Sequence, residues 1–250
     1  IETNGGRVGD PSDYYKPTIK DLKPGTINII LILDADMPPG TLVRALVTCT
    51  EAKTAAIQEL MAGSNYSTGL AIGSGTDQTI IIANPESDLY LESAGKHSKL
   101  GELIGRVVIK AVKEALFKET GLCPSSQHSA LSRFKRFRVT EDTLWDKFKE
   151  NNAANIIKPV FLEILDTVEK DDFVVANTSL YLHLLDQYLW GVLEEEEVMV
   201  CAQKILLLIG EKYGIKTNNL LAEVSIEAFN TAWTSLLVDI CVAKTSNLQS

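Results

Sequence analysis

Long apolar runs are missing from this 250-residue chain. Stretches such as 29–33 and 205–209 fall far short of the roughly 20 residues a membrane-crossing helix needs, so no span is expected. Paired cysteines are missing too. Cys49, Cys123, Cys201 and Cys241 lie far apart with no C-x-x-C, which argues against a zinc site or a disulfide framework and fits a reducing cytoplasm. Only three histidines occur, none at ligand spacing, and no H-x-x-x-H, P-loop or G-x-S-x-G is present. No charged leader with an apolar core precedes the first elements. A cationic excess is also lacking: 24 basic against 33 acidic residues give −9. The deficit grows along the chain, with 12 basic and 14 acidic residues up to Lys118, then 12 and 19 beyond it. Nucleic-acid binding depends on neutralising phosphates and is not expected. The run 133–138 (RFKRFR) is a local exception, read as a solvated linker or an anion contact.

What is present divides in two. Residues 26–33 form a β-branched apolar run without clean alternation, which predicts a strand buried on both faces. Pro38, Pro39 and Gly40 mark a turn, and apolar residues at helical spacing predict a helix over 42–61. Short strands are expected at 67–72 and 78–83, joined by a loop at 73–77. Ser98 opens a helix with an apolar stripe from Leu100 to Ala115, in which Gly101 and Gly105 permit close packing. Residues 120–138 read as a linker. Helices follow at 141–149, 155–168, 179–193, 195–213 and 220–243, with Gly214 a natural stop for the fourth. The expectation is an α+β or α/β unit over 1–119, a mixed sheet packed with helices, and then an all-helical domain over 139–250.

Three places could carry chemistry. Thr48 to Thr54 set hydroxyls, Glu51 and Lys53 into an otherwise apolar helix. At about 100° per residue, Thr50, Lys53 and Thr54 share a side while Glu51 and Lys53 point nearly apart. Alternatively, Thr48-x-x-Glu51 is a capping box that starts a new helix after a strand at 42–47. Second, Gly73-Ser74-Gly75-Thr76-Asp77 could present converging amides to an anion through left-handed glycines, or could simply be a hairpin turn. Third, His97 precedes a helix start, where it could move protons or be incidental.

Several strings together resemble the adenosylcobinamide amidohydrolases: Glu2-Thr3-Asn4 with Gly9-Asp10-Pro11, Gly25-Thr26-Ile27-Asn28-Ile29, Thr50-Glu51-Ala52-Lys53-Thr54-Ala55-Ala56, Gly73-Ser74-Gly75-Thr76-Asp77, and Ala94-Gly95-Lys96-His97-Ser98-Lys99-Leu100-Gly101. The resemblance covers about residues 1–118, with Ser74 standing where Thr is expected. The family usually has a further stretch upstream of the segment at Ile1, and the helical half lies outside the resemblance.

The resemblance implies an amide hydrolase that cuts the aminopropanol amide of adenosylcobinamide in corrinoid salvage of the archaeal type. The corrinoid would be substrate rather than cofactor, with no essential metal. Glu51 or Asp77 would be general base, Lys53 would stabilise negative charge or protonate the amine, and amides around Gly73, Ser74, Gly75 and Thr76 would form an oxyanion hole. Thr76 or Thr50 could instead be a nucleophile. Asn4, Asn28, Thr54 and His97 complete the expected substrate contacts. A homo-oligomer is possible. The rival reading is a corrinoid-binding or partner-docking protein without turnover.

Overall fold

The computed structural model describes residues 5–10, 25–151, 156–216 and 221–248. Two compact units divide the chain between Gln127 and His128.

In the first unit, β1 (Gly5–Gly6), β2 (Asn28–Leu33), α1 (Pro39–Glu59), β3 (Gly73–Ser74), β4 (Gln78–Ala83) and α2 (Lys99–Thr120) follow one another. The expected mixed sheet is instead two separate two-stranded sheets: β1 pairs antiparallel with β3, and β2 pairs parallel with β4. No strand forms at 67–72, where Leu70 makes only an isolated bridge to Gly63. The loop at 73–77 is therefore not a hairpin, because its two ends serve different sheets.

The prediction of a doubly buried strand also fails. Leu31 and Leu33 are buried, but Ile30 and Ile32 lie open to solvent beside their register partners Ile80 and Ile82. A single α1 layer covers only one side of the sheet, so the period of two sorts the run into an inner and an outer face.

Helix α1 begins at Pro39, whose missing N–H costs nothing in the first turn. Thr48 is thus mid-helix and the capping-box alternative is excluded: its Oγ1 donates to the Ala94 carbonyl at 2.8 Å. Small residues (Ala45, Cys49, Ala52, Ala56) line the inner face of α1 and let α2 approach closely. Ser98 caps α2 by accepting the Gly101 N–H, and Gly121, at φ +74°, ends it. Of the expected stripe only Ile104, Val108 and Val112 are buried, with Leu116 just beyond it; Leu103 and Val107 are half exposed. Gly101 does serve close packing, since a Cβ there would overlap the Gly95 carbonyl, whereas Gly105 faces open space.

The second unit is helical: α3 (Ala130–Phe134), a 3₁₀ turn (Lys135–Phe137), α4 (Glu141–Asn151), α5 (Lys158–Glu169), α6 (Asp172–Leu189), α7 (Glu195–Lys212) and α8 (Ile226–Leu248). The stretch read as a linker supplies part of its core. Phe134 is fully buried and stacks on Trp233 with centroids 4.0 Å apart. In the basic run, Arg136 is buried against Asp186 at 2.6 Å and lies over the Phe137 ring. Helix α6 starts earlier than expected because Asp171, not Ser179, caps it. Gly214, at φ +68°, follows the end of α7 as anticipated. By length and composition α8 alone among the described helices could cross a bilayer, but Phe229, Trp233, Leu236, Leu237 and Ile240 are buried in the unit's core.

Candidate active site

A buried polar cluster joins α1 to the loop between β3 and β4. Lys53 leaves the buried face of α1 and ion-pairs with Asp77 Oδ2, both side chains being almost nine-tenths removed from solvent. The rest of the Asp77 carboxylate is also engaged. Oδ2 accepts the Ser74 N–H at 3.1 Å, and Oδ1 accepts the Ser74 hydroxyl at 2.6 Å and the Ile27 N–H at 3.1 Å. Burial alone raises the Asp77 pKa, yet the Lys53 and Ser74 donors outweigh it and hold the carboxyl below its ordinary range. An anion satisfied by four donors is well built to orient Lys53 and poorly placed to take a proton from water.

Neither Gly73 nor Gly75 adopts a left-handed backbone, and of the two only Gly73 matters by volume, since a Cβ on Gly75 would meet nothing within 4 Å. A Cβ on Gly73 would overlap Asp77 Oδ2 and come 2.7 Å from Lys53 Nζ, so only glycine leaves room for the pair. The Ser74 amide is spent on Asp77, and the Thr76 amide reaches Ser74 Oγ at 3.4 Å. The exposed Gly75 amide has no partner among the described residues and is the loop donor best placed for an incoming oxygen. Thr76 is exposed, its carbonyl accepting the Thr26 hydroxyl at 2.6 Å and its own hydroxyl reaching the Gly25 carbonyl at 3.5 Å.

Other expected site residues are not gathered here. Glu51 projects from another side of α1 and pairs with Lys96 at 3.0 Å. Thr50 is exposed, its hydroxyl turned back to the Leu46 carbonyl, and Thr54 is half-buried one residue beyond Lys53. Asn28 is exposed on the same strand parity as Ile30 and Ile32, on the sheet face away from α1. Asn4 lies outside the described residues. His97 lines a separate pocket of about 520 Å³ with Arg44, Ser93, Gly95, Lys96 and Ser98. Sequence reading missed Arg44, and also Ile27 and Thr26, whose backbone and hydroxyl pin the glycine loop. Nothing near them in sequence signals these partners, which lie about 50 residues away. Among the described residues no three of His, Cys, Asp and Glu group as a metal site.

A buried amine–carboxylate pair under a glycine-rich loop defines an α+β unit with a preorganised cationic centre. Residues 1–124, which make up most of the N-terminal unit, match the adenosylcobinamide amidohydrolase family model. An uncharacterized protein of Methanocaldococcus jannaschii is 38% identical over 129 residues, 46% of this chain and 50% of the relative. The adenosylcobinamide amidohydrolase of Methanosarcina mazei is 35% identical over 102 residues, 38% of this chain and 48% of the relative. The chain thus spans about half the length of the curated relatives it matches. No solved structure matches it.

Proposed function

We propose that the N-terminal unit hydrolyses the aminopropanol amide of adenosylcobinamide, giving adenosylcobyric acid and 1-aminopropan-2-ol in corrinoid salvage in the cytoplasm. The corrinoid is substrate, and this reading uses no further cofactor. The observation that carries it is the Lys53–Asp77 pair inside a unit that matches this family's model. Amide cleavage builds negative charge on the carbonyl oxygen and needs a proton for the departing amine. An ammonium fixed by a buried carboxylate answers both needs without reorganising. In this reading Lys53 faces the reacting amide, the Gly75 amide adds a donor, and Asp77 and Ser74 are positioning residues. Of the two candidate nucleophiles this reading prefers Thr76, whose exposed hydroxyl reaches the Gly25 carbonyl only at 3.5 Å, while the Thr50 hydroxyl is turned to its own helix.

The test is release of aminopropanol from adenosylcobinamide under single-turnover conditions. Lys53→Met and Asp77→Asn should each lower the rate by about 10²-fold or more, and Glu51→Gln should change it little. Near-wild-type rates in both of the first two would sink the assignment. The engagement of Asp77 by four donors favours one rival, a corrinoid-binding protein without turnover. It would retain adenosylcobinamide on a column but yield no amine on long incubation.

A further inference from the structure

The geometry points to a second binding site, independent of amide cleavage, in which the pocket of Arg44, Lys96 and His97 takes a doubly charged oxyanion of the phosphate class. The wall of this pocket is fixed before any ligand arrives. Thr41 and Thr48 on α1 donate to the Glu92 and Ala94 carbonyls, each at 2.8 Å, and the Ser98 N–H and hydroxyl both reach the Gly95 carbonyl at 2.8 Å. That pins residues 92–98 along the helix, so Gly95, Lys96 and His97 have little freedom to drift. Arg44 lies across Gly95, where a Cβ would come 3.4 Å from its Nε.

The charges inside are unbalanced. Arg44 and His97 have no hydrogen-bond or ion-pair partner among the described residues, and Lys96 leans on a single carboxylate, Glu51. Here Arg44, Lys96 and His97, all three exposed, line one open surface pocket of about 520 Å³ with Ser93, Gly95 and Ser98. A guanidinium suits two oxygens of one tetrahedral anion, and a dianion gains more than a monoanion from several cations. Glu51 then acts as a built-in competitor: it holds Lys96 when the pocket is empty and yields it to the anion.

Titrating inorganic phosphate into the whole chain at constant ionic strength, by calorimetry and by proton NMR of the histidine rings, tests the site. The chain has only three histidines, so His97 is resolved from His128 and His183 by a single substitution. One saturable site should appear, with the His97 resonances moving and the other two staying put. Arg44→Gln and Lys96→Gln should each weaken binding about 3- to 30-fold, as for partly exposed charge-assisted contacts. Glu51→Gln should tighten it, because the competing carboxylate is gone. Acetate should bind at least several-fold more weakly. Tighter binding of phenyl phosphate than of phosphate marks an esterified ligand, and the reverse marks the free anion. The proposal is overturned by non-saturable binding, by equal affinity in both cation variants, or by weaker binding in Glu51→Gln. Amine release plays no part in these readouts, so the two readings fail separately.

Discussion

Lys53 and Asp77, 24 residues apart in sequence, share a proton-bearing contact that almost no water reaches, while Glu51, two residues from Lys53, pairs with Lys96 on another side of the same helix. One turn of α1 therefore feeds two separate electrostatic sites. Removing either member of the buried pair leaves the other charge stranded, and such losses cost about 3–5 kcal/mol. Asp77→Ala and Lys53→Ala should both lower the urea midpoint of the first unit. Replacing both together by Leu and Met should restore most of it.

The same carboxylate sets an acid dependence. The Asp77 pKa in the fold lies below its value in an unfolded chain, about 3.9. Its contribution is thus fully present above that value and is lost as pH falls through the lower folded pKa. Denaturation midpoints measured from pH 6 down to pH 2 should drop, and Asp77→Asn should flatten the drop. Glu169 in the second unit runs the other way. Burial raises its pKa against the Ser129 and Leu131 donors, so the fold loses stability as pH rises from the unfolded-chain value through that raised pKa. Glu169→Gln, which can still accept both bonds, should be neutral or stabilising at pH 7.

Glycine at two positions is a matter of volume, and alanine tests it. Gly73→Ala should separate Lys53 from Asp77, and Gly101→Ala should push Gly95 away from the start of α2. Each should cost about 1–3 kcal/mol, the usual range for overpacking. Gly105→Ala, which meets nothing within 4 Å, should be neutral or slightly stabilising through helix propensity. Thermal melts of the three variants make the comparison.

Phe134 decides whether residues 130–138 are linker or core. Its ring is sandwiched among Phe137, Tyr181 and Trp233. Phe134→Ala should destabilise the helical unit by about 3–5 kcal/mol, read from near-ultraviolet circular dichroism of its tryptophans. An unchanged melt would restore the linker reading.

Thiol reactivity should single out Cys123. Hydrogen bonds from Ser125 and Ser126 lower its pKa to about 7, whereas burial pushes Cys241 up to about 12 and raises Cys49 despite the nearby Lys53. Iodoacetamide at pH 7.5, followed by peptide mass spectrometry, should label Cys123 well before Cys49 or Cys241.

Local pattern by itself determined the existence of α1, α2 and most helices of the second unit, because helical spacing and caps such as Ser98 and Gly214 are written within a few residues of each other. It also established that Glu51 and Lys53 diverge, a consequence of 3.6 residues per turn. Only tertiary structure decided which of them meets Asp77, because that depends on β3 and β4 joining different sheets. It also decided that Thr48 lies within a helix begun by Pro39, that one face of β2 stays open, and that 130–138 packs into a core. Each of these turns on which distant surface comes to lie against the segment, and burial and ion pairing depend on such neighbours while periodicity does not.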